Sequence, residues 1–304
     1  MAQERQTKDQ RRDEAREIAR IEREKRQKSE ARNTILIRGG VTVAIVAVIA
    51  AVGWGIWIGT RPEGAGPANM ASDGILLTGS NGAITPVTTD GVPAGADPTP
   101  TDPKKYDVPV HIVTYIDFGC PFCNQFETAN SGQIRQLLQD GLGTLEVHPI
   151  NLLSTSFLGS GYSLRSANAG ACVAAYAPDK FLDVSDAFFK QQPAENTAGL
   201  TDAEIVTLLA SAGASSDKIT SCVNNEEFKG WVNASTTRVL SDPALKNPGS
   251  GKFGTPTIIV NGVFYQPSNL SDPQEFATFL TKNADFSSGG GATPSPTPTP
   301  TPTP

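Results

Sequence analysis

Apolar residues occupy both faces of the run "VPVHIVTYI", Val108 to Ile116. A run that short predicts a strand inside a covered sheet. The period then changes. "CPFCNQF" opens a helix, with Pro121 at the first helical position, where a missing N–H costs nothing and φ is preset. Asn130-Ser-Gly132 is expected to kink or break that helix, "QIRQLLQD" resumes it, and Gly141 ends it. The next strand is "TLEVHPI", Thr144–Ile150. From about Ser154 to Leu245 the pattern is helical, with a Thr-x-x-Glu capping box at Thr201 and Glu204. "GTPTIIVNGVFY" follows. It predicts a hairpin, Thr257–Val260 and Val263–Tyr265, around an Asn261-Gly262 type I′ turn. "SDPQEFATFLTK" is a capped terminal helix.

Upstream, Gly39 to Thr60 is 22 residues without a charge, "GGVTVAIVAVIAAVGWGIWIGT". That is enough helix to cross a hydrocarbon core of about 30 Å, and Trp54 and Trp57 fall where indoles favour the interface. Residues 1–38 hold twelve Lys/Arg and eight Asp/Glu, many paired at i,i+4 as in a solvated helix. Beyond the span there is only Arg61 nearby. The positive-inside bias therefore puts the N-terminus in the cytoplasm and the bulk of the chain outside. A cleaved signal peptide is the rival, kept open by small residues at Ala65, Ala68 and Ala71. Residues 61–107 look like a linker, with one possible β-hairpin around Ser80-Asn-Gly82. The tail, 287–304, ends in a Pro-Thr repeat that favours polyproline II and builds no core. The whole chain carries −6 and residues 1–38 carry +4, so the remainder carries −10. An acidic external part argues against nucleic acid as a partner.

Two of the four cysteines form Cys120-Pro-Phe-Cys123 at the strand-to-helix turn. A zinc site would want a second ligand pair at compact spacing. Cys172 and Cys222 instead lie 49 and 99 residues past Cys123, and the two histidines, His111 and His148, lie within predicted strands. No metal or other cofactor is expected. Redox chemistry has the stronger physical basis. Cys120 falls at a helix N-cap, where unpaired N–H groups and the macrodipole stabilise an anion, lowering the thiol pKa into a range of about 3.5–7.5. Cys120 would carry the mixed disulfide. Cys123, one turn on and more buried, would resolve it. An exposed dithiol outside the cytoplasm suits a protein that oxidises others.

"VTYIDFGCPFC", a helical insertion at about 154–250 and "GTPTIIVNG" together resemble the DsbA-like thioredoxin-fold oxidoreductases, most closely their membrane-anchored actinobacterial branch. The resemblance covers about Val108–Lys282. It implies an α/β thioredoxin fold at 108–286 with an inserted helical domain, here preceded by one transmembrane helix. It implies that Pro256 is cis and faces the active-site sulfurs, with Thr255 presenting backbone groups to an extended client strand. Where such proteins often carry a buried acid, six residues before the first cysteine, this chain has Thr114; the nearest acid is Asp117, a proton acceptor for Cys123 or a simple turn residue. The dipeptide Pro121-Phe122 lacks the imidazole of the strongly oxidising archetype. Four cysteines permit three pairings. Pairing Cys172 with Cys222 as a structural bridge leaves Cys120 and Cys123 free to cycle.

The leading expectation is an enzyme that introduces disulfides into reduced exported proteins and is re-oxidised by a membrane quinone-linked partner of the DsbB or vitamin-K-epoxide-reductase type. The alternatives are a reductase or isomerase, and a non-catalytic tethered binding or sensor domain. An isomerase usually needs a dimer to cradle misfolded substrate. No dimerisation module is evident, so a monomer is expected, held to lipid by its single helix.

Overall fold

The computed structural model describes residues 64–286. The charged segment 1–38, the predicted span 39–60 and the tail 287–304 lie outside the described residues. Among the described residues, no helix is long and apolar enough to cross a membrane.

Six strands form one sheet: β1 (Ile75–Ser80), β2 (Ala83–Pro86), β3 (Val110–Ile116), β4 (Gly143–Pro149), β5 (Thr257–Val260) and β6 (Val263–Phe264), in the order β2-β1-β4-β3-β5-β6. Only β3 and β4 run parallel. Their crossover is helix α1 (Pro121–Gln139), giving a β–α–β unit with the dithiol at its first turn. Both hairpins turn through Asn-Gly with positive φ at each residue, 53° and 82° at Asn81-Gly82 and 48° and 80° at Asn261-Gly262. That is the type I′ geometry whose twist matches the flanking strands. The first hairpin lies within the segment expected as linker. Its strand β1 pairs with β4, Leu76 opposite Glu146, so it extends the sheet.

β3 differs from expectation. Val110, Ile112, Thr114 and Ile116 are buried, whereas His111, Val113 and Tyr115 on the other face are only partly covered. Helix α1 also differs, running unbroken through Asn130-Ser-Gly132. The buried Asn130 amide donates to Phe126 O (2.9 Å) and accepts from Gln133 Nε2 (2.6 Å), so the polar group is satisfied inside the helix. Gly141 ends it as expected, at φ 68°. Its N–H bonds Leu138 O while Leu142 N–H reaches back to Leu137 O, a Schellman closure.

Between β4 and β5 come α2 (Tyr162–Tyr176), α3 (Phe181–Lys190), α4 (Asp202–Ser211), α5 (Asp217–Asn224) and α6 (Lys229–Ser241), and α7 (Pro273–Asn283) closes the fold. The Thr201–Glu204 capping box opens α4. A disulfide joins Cys172 in α2 to Cys222 in α5. The segment before β1 ties these helices to the sheet. Asn69 donates to Ala174 O, and buried Asp73 accepts from Trp231 Nε1 (2.9 Å) and from Arg238 Nε (2.8 Å). One continuous apolar core runs from the sheet into the insertion.

Candidate active site

β3 ends at Ile116, and Asp117-Phe118-Gly119 carry the chain to Cys120, the N-cap of α1. Cys120 has extended backbone (φ −83°, ψ 118°) and Pro121 takes the first turn. Gly119 is required by close approach: a Cβ there would stand 2.5 Å from the Phe157 ring.

Asp117 is fully buried. Its Oδ1 accepts from Gly119 N–H (2.8 Å), and its Oδ2 accepts from Leu153 N–H (2.8 Å) and the Ser163 hydroxyl (2.6 Å). Burial raises its pKa despite these bonds. Its main chain also hydrogen-bonds the Cys123 sulfur. Asp117 thus joins the active-site turn, the loop after β4 and the first turn of α2. A second clamp comes from Gln192, just past α3. Its Nε2 donates to Phe118 O (2.9 Å) and Cys120 O (3.0 Å).

The two thiols are chemically unequal. Cys120 is lowered to about 6, chiefly because the Cys123 thiol donates to it, helped by the Thr255 side chain and the N–H groups of Cys123 and Phe122, against opposing burial. Cys123 is raised well above the usual thiol range by burial first, and by its role as donor to Cys120. Both cysteines are free. The expected exposure is not observed: Cys120 is only 3 % exposed and Cys123 0 %. The Thr255–Pro256 bond is cis, and Thr255 O stands 3.3 Å from the Cys120 sulfur, so this loop helps to close the site. Phe122 is 59 % exposed beside it. A groove of about 360 Å³ lies along the cis-proline loop, lined by Phe122, Phe253, Thr255, Pro256, Tyr265 and Leu270 among others.

Sequence reasoning located Cys120, Pro121, Phe122, Cys123, Asp117, Thr255 and Pro256, and the structure brings all seven together. It missed Gln192 and Ser163, whose contacts span 72 and 46 residues and leave no local pattern. Cys172 and Cys222 are bonded to each other, apart from this site. His111 and His148 lie in β3 and β4; His148 stacks on Tyr115 at 4.4 Å. Among the described residues no His/Cys/Asp/Glu cluster could hold a metal.

A parallel β–α–β unit, an N-capping cysteine pair and a cis-proline loop against its sulfur define a thioredoxin-fold protein with a redox-type dithiol. A thioredoxin family model matches residues 105–281, and the chain belongs to that family. No match is found among curated proteins. Among solved structures the chain is similar to reduced DsbA from Mycobacterium tuberculosis, with 24 % identity over 69 % of this chain and 92 % of that one, TM-score 0.51. The oxidised form of that DsbA shows 22 % identity over the same shares, TM-score 0.50. MdbA, a thiol-disulfide oxidoreductase from Actinomyces oris, shows 23 % identity over 57 % of this chain and 79 % of that one, TM-score 0.46.

Proposed function

We propose that the chain is a membrane-anchored, extracytoplasmic thiol–disulfide oxidoreductase that introduces disulfides into exported proteins through Cys120 and Cys123. The observation that carries this is the inequality of the two thiols. A Cys120 lowered to about 6 is a good leaving group, and its stabilised thiolate favours the reduced dithiol, which makes the disulfide form an oxidant. In the oxidised protein a client thiolate attacks the Cys120 sulfur, the Cys120–Cys123 bond breaks, and Cys123 leaves with the electron pair and takes a proton. A second client thiolate then attacks the client sulfur of the mixed disulfide and expels Cys120 as thiolate. The client loses two electrons and the dithiol gains them. Thr255 and the adjoining groove hold the client strand, and Asp117 is the nearest buried acid to the Cys123 proton. A membrane quinone-linked partner of the DsbB or vitamin-K-epoxide-reductase type restores the disulfide. The charge-free run 39–60, with basic residues before it, supports the anchor and its orientation.

The test pairs the reduction potential of Cys120–Cys123 with oxidation of a reduced, unfolded protein. A potential well above that of thioredoxin, with stoichiometric client oxidation, is expected. A potential at or below thioredoxin's, with no client oxidation, would replace the oxidase by a reductase or a binding domain. Cys123→Ala should trap client proteins as mixed disulfides on Cys120.

A further inference from the structure

On the sheet face turned away from α1 lies a cavity of about 670 Å³. Side chains alternate along a strand. While Val110, Leu145 and Ile258 enter the core, His111, Val113, Thr144, Glu146 and Ile259 line this cavity. Its other wall is the segment around Pro103, Lys104 and Tyr106. A smaller cavity of about 130 Å³ shares Leu76, Thr101 and Tyr106 with it. Tyr106 thus borders both parts of this groove.

The groove also marks where the C-terminal tail departs. Asp285 lines its rim and donates its N–H to Pro109 O (2.8 Å). Asn261 fixes the exit through Nδ2, which donates to Asn283 O (2.7 Å) and Pro109 O (2.9 Å). Ser287–Ala292, "SSGGGA", then lead into the Thr/Ser-Pro repeat 293–304. Six Gly/Ser-rich residues reach about 13 Å on average, enough to turn the repeat back over the rim.

The chemistry of the two partners agrees. Every second residue of the repeat is proline and lacks an N–H, so the segment cannot pair as a sheet strand. It offers carbonyls and proline rings, and is bound by aromatic and apolar walls carrying donors. The groove supplies the Tyr106 ring and hydroxyl, the exposed Lys104 ammonium, and apolar surface from Pro103, Val113 and Ile259. We propose that residues 293–304 dock in cis, as a polyproline II strand, into this groove beside Tyr106.

The test is amide hydrogen exchange of residues 104–113 in the full chain in detergent. An effective concentration of about 1 mM acting on a Kd of about 0.1 mM predicts a protection of about tenfold. Deleting 287–304 should remove it, and adding the peptide Thr-Pro-Ser-Pro-Thr-Pro-Thr-Pro to the deleted chain should restore it. Tyr106→Ala should mimic the deletion and ignore the peptide, and Tyr106→Phe, which keeps the wall, should lose only part of the protection. Exchange unchanged by the deletion overturns the proposal, as does a peptide without effect. Protection that instead rises with protein concentration assigns the groove to a second copy and overturns it too.

Discussion

The Cys120 sulfur stands 3.3 Å from the main-chain oxygen of Thr255. As a thiol, Cys120 donates to that oxygen. As a thiolate it accepts from the Cys123 thiol and from the Thr255 side chain. One residue of the cis-proline loop therefore faces both protonation states, and its hydroxyl favours the charged one.

Thr255→Val keeps the β-branched shape and removes the hydroxyl. The Cys120 pKa should rise from about 6 toward the ordinary thiol range. Titrating the thiolate absorbance of the reduced protein measures this. An unmoved titration midpoint would show that the hydroxyl does not reach the sulfur.

The same shift links redox state to stability. The Cys120 pKa is depressed in the folded state, so its contribution is complete above the unfolded thiol value of about 8.5 and is lost as pH falls through about 6. Cys123, raised by burial, stays protonated across this window. Asp117 and Glu127 are also raised by burial, Glu127 to about 8, and act in the opposite sense. Both are present in either redox form, so the difference between reduced and oxidised protein isolates Cys120. Urea unfolding of the two forms should show the advantage of the reduced form shrinking from pH 8 to pH 5. A difference constant with pH would contradict the thiolate.

Asp117→Asn probes the buried carboxylate apart from any role in proton transfer. Its two oxygens accept from two N–H groups and one hydroxyl. An amide must turn its NH₂ toward at least one main-chain donor in either orientation, leaving buried donors opposed. The oxidised variant should lose about 1–3 kcal/mol of stability, measured by chemical denaturation. Slower dithiol chemistry at unchanged stability would make Asp117 a proton acceptor only.

What was legible in the chain is what local chemistry decides. Pro121 after Cys120 starts a helix, Asn261-Gly262 turns a hairpin, and Thr201 with Glu204 caps α4; none needs a distant partner. The unbroken course of α1 was not legible. Asn130 and Gly132 are poor helix formers, and their tolerance depends on a bond inside the helix and on packing around it. Pairing of β1 with β4 was hidden for the same reason: the hairpin signal says nothing about which strand it will meet. Gln192 grips the active-site turn with a side chain that elsewhere is an ordinary loop residue.

The Cys172–Cys222 bridge closes 50 residues between α2 and α5. Chain-entropy arguments put a loop of that length at about 4 kcal/mol, with about 2–5 kcal/mol lost when native bridges are removed. A Cys172→Ala, Cys222→Ala double variant should unfold at correspondingly lower denaturant while keeping the Cys120 thiolate titration. Loss of that titration in folded protein would mean that the bridge also positions the dithiol.

Thr114 is 1 % exposed on β3, and its hydroxyl has no hydrogen-bond partner among the described residues. A hydroxyl buried without a partner costs about 1–3 kcal/mol on mutational scales. Valine is nearly the same shape, favours strands and has nothing to satisfy. Thr114→Val should therefore stabilise the protein, by about 1 kcal/mol once imperfect packing is allowed for. Equilibrium unfolding of the oxidised form reads this directly. A loss of stability would show that the hydroxyl has a partner, such as a buried water. If the Cys123 reaction also slowed, that partner would lie on the path by which the Cys123 proton leaves.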